Sequence, residues 1–306
     1  MKRIQLGGSS VSVPAIAVGC MRLNGIGKEE RKSFISSAIE QGMNFFDHAD
    51  IYGGGECERV FGEAVKELKL PRESLFLQSK CGIVPGVMFD FSEKHIVEAA
   101  EGSLRRLGTD HLDSLLLHRP DALAEPEEVA SAFDKLQREG KVRYFGVSNM
   151  HPAQIELIRS AVKQPLVADQ LQFSPTNATM ISNGIEANML TDGAVSRDGY
   201  ILEYCRLHGI TIQAWSPYQY GFFEGVYLGS DRFPELNKVI GEIGEKYGIE
   251  DVAVVAAWIL RHPAGMQMIA GTMNRKRLAA IAKGADVTLS REEWYKIYIA
   301  AGHILP

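Results

Sequence analysis

Asp47, Tyr52, Lys80 and His118 are ionisable side chains of four different kinds, and together they can move a proton. A free tyrosine has a pKa of about 10 and gives up its proton reluctantly at neutral pH. A lysine ammonium beside it favours the phenolate and lowers that value. A carboxylate such as Asp47 stabilises the ammonium in an apolar setting and fixes its position. An imidazole can hydrogen-bond a substrate oxygen and turn it toward the phenol. Such a set protonates an oxygen that is gaining negative charge, which is what reduction of a carbonyl group requires. Singly, each residue has an ordinary reading: a turn aspartate, a loop aromatic ahead of Gly53-Gly54-Gly55, a solvated strand end and a locally bonded histidine. Their joint placement decides between the two readings.

That placement follows from an alternation along the chain. Apolar runs recur at residues 15–20, 45–48, 75–80, 114–118, 144–148, 167–172, 211–216 and 268–272. They lack period-2 polarity, as expected of strands buried on both faces of a parallel sheet. Amphipathic segments separate them. Residues 28–41 place Phe34, Ile35, Ala38 and Ile39 on one face. Ser92 is an N-cap for a helix running to Leu107, with Gly108 as its C-cap. Pro126 opens a further helix that Gly140 ends. More starts fall at Pro152, Asp198-Gly199 and Glu235, and a helix over 251–261 stops before Pro263.

Eight strand–helix units without a Gly/Ser-rich linker predict an α/β fold, a (β/α)8 TIM barrel filling residues 1–306 as one domain. The runner-up, a doubly wound sheet, would show a GxGxxG turn after its first strand, and Val18-Gly-Cys-Met-Arg22 does not match. Residues 4–13, with Gly7-Gly8, predict an N-terminal β-hairpin with a two-residue turn. Residues 290–302 predict an appended C-terminal helix. In this barrel Asp47, Lys80 and His118 end strands two, three and four on the rim where barrel enzymes place their sites, and Tyr52 follows just beyond. Asp50 reads as a turn residue. Two long connections, 174–196 and 217–233, leave strand ends on the same side.

Composition narrows the function. The 306 residues carry 33 Lys and Arg against 38 Asp and Glu, a net charge of −5. A broad basic surface for nucleic acid is therefore not expected. No uncharged apolar run approaches ~20 residues, so no membrane span is expected. The N-terminus lacks an apolar signal core. Cys20, Cys57, Cys81 and Cys205 are scattered with no CxxC pair, reading as reduced thiols of a cytoplasmic protein. Asp47, His48 and Asp50 offer no HxH pair, which argues against a metal-dependent hydrolase and for no metal.

The stretches Asn44-Phe-Phe-Asp-His-Ala-Asp-Ile-Tyr-Gly53, Ser79-Lys-Cys-Gly82, Asp113-Ser-Leu-Leu-Leu-His-Arg119, Lys141-Val-Arg-Tyr-Phe-Gly-Val-Ser-Asn149 and Gln213-Ala-Trp-Ser-Pro217 resemble, in order and spacing, those of the aldo-keto reductases. The resemblance runs from Gly19 to Trp294 and is strongest to the bacterial YdhF-like branch. It implies an NADPH cofactor, oxidised to NADP+, and a catalytic tetrad of Asp47, Tyr52, Lys80 and His118. Tyr52 would be the general acid, Lys80 and Asp47 its tuning pair, and His118 the orienter. Ser148, Asn149 and Gln170 would hold the nicotinamide amide, and their hydroxyl and amide groups suit a neutral carboxamide. Phe173 would stack on the nicotinamide ring, and Ser216 with 217–219 would meet the pyrophosphate. Gly271 leads into Thr272, Asn274 and Arg277, implied contacts of the 2′-phosphate. Independently, cations at a helix start after strand eight favour an anion there. Met21 belongs to the cofactor site and, with Trp215 and 218–223, to the pocket wall.

Three departures from the family pattern matter. His48 replaces the usual Thr after the catalytic Asp and should point away from it, into packing. Ile281 stands where an adenine-contacting Asn is common. The short end, Gly302-His-Ile-Leu-Pro306, implies an open pocket. The expected function is NADPH-dependent reduction of a small aldehyde or ketone to an alcohol by a monomer or weak homo-oligomer. The alternative is a nucleotide-sensing regulatory subunit on the same fold, as among barrel relatives associated with potassium channels. The intact tetrad argues against it.

Overall fold

A computed structural model describes residues Met1–Pro306. Eight parallel strands close into a barrel: β1 (Ile16–Gly19), β2 (Phe45–Asp47), β3 (Phe76–Cys81), β4 (Leu112–Leu117), β5 (Val142–Ser148), β6 (Leu166–Gln172), β7 (Thr211–Trp215) and β8 (Gln267–Ala270). Each pairs with the next in sequence, and β8 closes on β1 through Met268↔Ile16. Every residue of β2, β3 and β4 is buried, which is why these strands read as unbroken runs rather than alternating ones.

The surrounding helices are α1 (Lys28–Glu40), α2 (Glu56–Leu68), α3 (Glu93–Leu107), α4 (Pro126–Arg138), α5 (Pro152–Arg159), α6 (Thr179–Ile185), α7 (Ile201–His208), α8 (Pro234–Tyr247), α9 (Asp251–Arg261), α10 (Arg275–Lys283) and α11 (Arg291–Ala300). The local signals act as expected. Ser92 Oγ accepts from the His95 amide, and Gly108 ends α3 in the left-handed region. The last helix, α11, starts with a capping box between Ser290 and Glu293. Its Trp294 stacks on Trp258 of α9 at 5.0 Å. Each indole N–H donates to the other residue's carbonyl, at 3.0 and 3.1 Å. No helix is long and apolar enough to cross a membrane.

Five strands end before the sequence reading has them end. Strands one, two, four and seven stop one residue early, at Gly19, Asp47, Leu117 and Trp215, and strand eight stops two early, at Ala270, so His48, His118 and Ser216 begin loops. The N-terminal hairpin pairs Arg3–Gln5 with Ser12–Pro14, leaving a six-residue loop instead of a two-residue turn. The reason is Leu6, which is fully buried and plugs the barrel bottom with Val13, Phe45, Phe76 and Val167. The long connections are not structureless either: the first holds α6, and the second folds Gln219–Tyr220 against Gly225–Val226.

Candidate active site

The barrel mouth is built around Lys80. Its side chain is fully buried, and its ammonium has three acceptors: Asp47 Oδ2 at 2.8 Å, the His48 carbonyl at 2.7 Å and Tyr52 Oη at 3.1 Å. Three donors thus meet three acceptors. Burial works against the charge, but Asp47 and Tyr52 outweigh it and hold the Lys80 pKa above the ordinary lysine range. The ring of Tyr52 reaches this position because Gly53, Gly54 and Gly55 follow it with φ of 58°, 65° and 90°. Side chains with a Cβ rarely take three such values in a row. His118 faces the phenol edge-on, with ring centroids 5.9 Å apart.

Asp47 is fixed from below by an amide ladder that sequence reading missed. Its Oδ1 accepts from Gln78 Nε2 at 2.7 Å and from Gln170 Nε2 at 3.0 Å. Both amides also donate to Gln213 Oε1, at 2.8 and 3.0 Å. Gln213 donates to Gln267 Oε1 at 2.9 Å, and Gln267 donates to the Pro14 carbonyl at 2.8 Å. A polar thread therefore runs down the barrel interior from the rim to the hairpin. Gln78, Gln170 and Gln213 sit inside predicted strands, where a polar residue within an apolar run was the available signal; Gln267 lies one residue before the predicted eighth strand.

Titration at the mouth departs from expectation at one point. The Tyr52 pKa is raised, not lowered: burial dominates, and the Lys80 charge that would lower it is opposed by Asp47. His118 is held well below the ordinary histidine range by burial, then by Lys80 and Arg119, so its imidazole is neutral. His48 packs edge-on against Phe61 at 4.6 Å, on the side away from Asp47. Burial and then Lys80 lower its pKa to about 3. Asp50 is more than a turn residue. Its Oδ1 is buried without a partner, and burial followed by the nearby Glu58 raises its pKa to about 7.

The mouth opens into a cavity of about 900 Å³. Asp47, Tyr52 and His118 lie on its floor, above the buried Lys80. Met21, Ser148, Asn149, Gln170 and Ser216 also line it. Asn149 and Ser216 are non-glycine residues at φ 58° and 49°, a conformation that has a cost and recurs at functional sites. Asn149 Nδ2 donates to Ser148 Oγ at 2.8 Å, and Trp215 Nε1 donates to Asn149 Oδ1 at 3.1 Å. At the far end, Gly271, Thr272, Asn274 and Arg277 line the wall where α10 begins. Asn274 caps that helix by accepting from the Arg277 amide at 3.0 Å, and its first turn has no acid. Of the run Arg275-Lys276-Arg277, only Arg277 faces the cavity.

Phe173 requires a correction. It is fully buried and stacks on Trp258 at 5.1 Å, behind the barrel wall, so it cannot meet a ring bound in the cavity. Trp215, Tyr218 and Phe223, with Tyr52, are the aromatics that line the cavity. Arg119 also lines the cavity and was missed, although it directly follows His118.

An eight-stranded parallel barrel with this lysine–carboxylate–phenol cluster at its C-terminal rim defines a class of oxidoreductase. The chain belongs to the aldo/keto reductase family, which it matches over residues 15–301. It is 35% identical to the oxidoreductase YdhF of Escherichia coli, over 90% of this chain and 88% of that protein. It is 34% identical to the 6-dehydroglucose reductase of Agrobacterium fabrum, over 87% and 86%. Among solved structures it superposes on the thermostable aldo-keto reductase Tm1743, crystallised with the inhibitor epalrestat. The TM-score is 0.79 at 27% identity, covering 98% of this chain and 100% of that one. The family uses nicotinamide cofactors, acts on small carbonyl compounds and carries oxidoreductase activity.

Proposed function

We propose that the protein is an NADPH-dependent reductase of an aldehyde or ketone, with Tyr52 as the general acid. The observation that carries this is the Lys80 ammonium, bonded at once to the Asp47 carboxylate and the Tyr52 hydroxyl. When bound, the nicotinamide supplies hydride to the carbonyl carbon. The residues of the chain supply the rest. The raised pKa keeps Tyr52 loaded with its proton at neutral pH. Proton transfer leaves a phenolate facing the Lys80 ammonium, an ion pair absent before the step and thus selective for the transition state. The neutral imidazole of His118 offers a ring N–H to the substrate oxygen and adds no charge to the site. The ladder below Asp47 keeps that carboxylate, and through it Lys80, in place.

The cavity's other residues fit a dinucleotide. Ser148, Asn149 and Gln170 offer hydroxyl and amide groups to a carboxamide, beside the indole face of Trp215. Arg277 and the free amides at the start of α10 suit a 2′-phosphate, which favours NADPH over NADH. All of these groups lie on this chain, which fits a monomer or weak homo-oligomer. Four buried free cysteines fit a cytoplasmic setting.

Fluorescence titration with NADPH and NADH, followed by NADPH oxidation over an aldehyde and ketone panel, tests the reading. Tight NADPH binding with turnover of several carbonyls is the expected result. NADPH binding with no oxidation across a broad panel would instead favour the regulatory reading.

A further inference from the structure

Three arginines line the cavity, and two have an assignment. Arg22 donates to the Gly271 carbonyl at 3.3 Å, at the cofactor end. Arg277 stands at the start of α10. Arg119 lies at the other end, one residue after His118, and makes neither a hydrogen bond nor an ion pair. Its nearest acid in sequence, Asp121, is occupied elsewhere, accepting from the Phe91 and Leu123 amides at 2.9 and 2.8 Å. The only carboxylate in the cavity wall, Asp47, is committed to Lys80, Gln78 and Gln170.

Arg119 is nevertheless held in position. Its guanidinium carbon lies 5.9 Å from the ring of Trp215 and 5.9 Å from that of Phe222. Such contacts fix the plane of the group while leaving its N–H donors free. Burial alone acts on its pKa, downward, with no acidic neighbour to oppose it. A partly desolvated cation without a partner is costly unless an anion arrives to meet it.

We propose that Arg119 recognises an acidic group, carboxylate or phosphate, on the same small molecule whose carbonyl is reduced at Tyr52. The substrate class is thus oxo-acids or phosphorylated aldehydes rather than neutral alkanals. The inference rests on the reductase reading for the identity of the substrate, but not for the existence of the anion site. The charge balance of the cavity supports it: a dinucleotide phosphate end meets Arg22 and Arg277, and Arg119 remains for the second ligand. Arg119 is partly buried beside Trp215 and Phe222, and partial desolvation strengthens contact with an oxyanion. The guanidinium fork matches two oxygens of a carboxylate or phosphate.

The test compares matched aldehydes with wild type, Arg119→Met and Arg119→Lys. The pairs are succinic semialdehyde against butanal, 4-carboxybenzaldehyde against its primary amide, and glyceraldehyde 3-phosphate against glyceraldehyde. Wild type should prefer the acidic member by about 10- to 100-fold in kcat/KM, mostly through KM. Arg119→Met should lose that preference, and Arg119→Lys should regain part of it. Preference confined to the carboxylate pairs, or to the phosphate pair, names the acid. The same selectivity in wild type and Arg119→Met overturns the proposal. So does a loss of NADPH affinity as large as the loss of preference, which would give Arg119 to the cofactor. Benzoate binding to the NADP+ complex, read by tryptophan fluorescence, separates the two readings. Arg119-dependent binding without turnover of any aldehyde keeps the anion site and removes the reductase; neither binding nor turnover removes both.

Discussion

The two ends of the barrel interior are built on opposite principles. At the closed end, Phe45 and Phe76 stack at 4.4 Å under the Leu6 plug, and the last amide of the ladder finds the Pro14 carbonyl. Asn44 Oδ1 beside the start of β2 lacks a partner, but the plug itself is apolar and its one amide, Gln267, is fully paired. At the mouth, His118 Nδ1 and Asp50 Oδ1 lack partners, and Asn149 and Ser216 hold left-handed backbones. Stability resides in the apolar, matched plug, and chemistry where polar groups facing the cavity are held unmatched. Substitutions at the two ends should therefore separate activity from stability.

The largest effect belongs to the mouth. Tyr52→Phe removes one hydroxyl and should lower kcat by about 10²- to 10⁴-fold, with NADPH affinity and urea midpoint kept. Near-normal turnover would take the proton-donor role away from Tyr52. The mirror case is Phe45→Ala at the closed end, where a fully buried, stacked ring is lost. Urea denaturation should show a loss of about 3–5 kcal/mol, while the protein that remains folded keeps its kcat. An unchanged midpoint would mean that the plug does not hold the barrel shut.

Arg277→Ala should weaken NADPH by about 10- to 100-fold and NADH far less, read by fluorescence titration. Equal losses would remove the 2′-phosphate assignment. The smallest change is Asp50→Asn. The Asp50 pKa is raised to about 7 in the folded protein, against about 3.9 unfolded. The native state therefore binds the extra proton, and stability falls as pH rises from about 4 to about 7. The asparagine should gain on the order of 1–2 kcal/mol at pH 8 and nothing at pH 4, measured by urea melts at both. An equal gain at both values would show that packing, not the carboxyl's charge, is responsible.

The same division governs what the sequence could disclose. Asp47, Lys80 and His118 were legible because an unbroken apolar run makes its terminal polar residue conspicuous. The barrel was legible because eight such runs alternate with capped helices. Phe173 was misplaced because whether a residue just past a strand faces the mouth or the core depends on how the loop departs. The rise in the Tyr52 pKa was not legible, since it is the outcome of burial outweighing a Lys80 charge that Asp47 opposes. Arg119 was visible as a residue, but lacking a partner is a property of the whole neighbourhood and appears in no local pattern.

The amide ladder has a consequence for how the barrel closes. Eight similar strand–helix units form a near-repeating ring, and a repeating ring can be wound in shifted registers without much penalty to its backbone. The ladder does not repeat. It begins on an acceptor, the Asp47 carboxylate, and ends on another, the Pro14 carbonyl. Gln78 and Gln213 each donate to the other's carbonyl in between. Rotating any one amide sets hydrogen against hydrogen or oxygen against oxygen. The interior thus breaks the ring's pseudo-symmetry and tells β2, β3, β6, β7 and β8 apart, so that the strand bearing Asp47 closes in only one place.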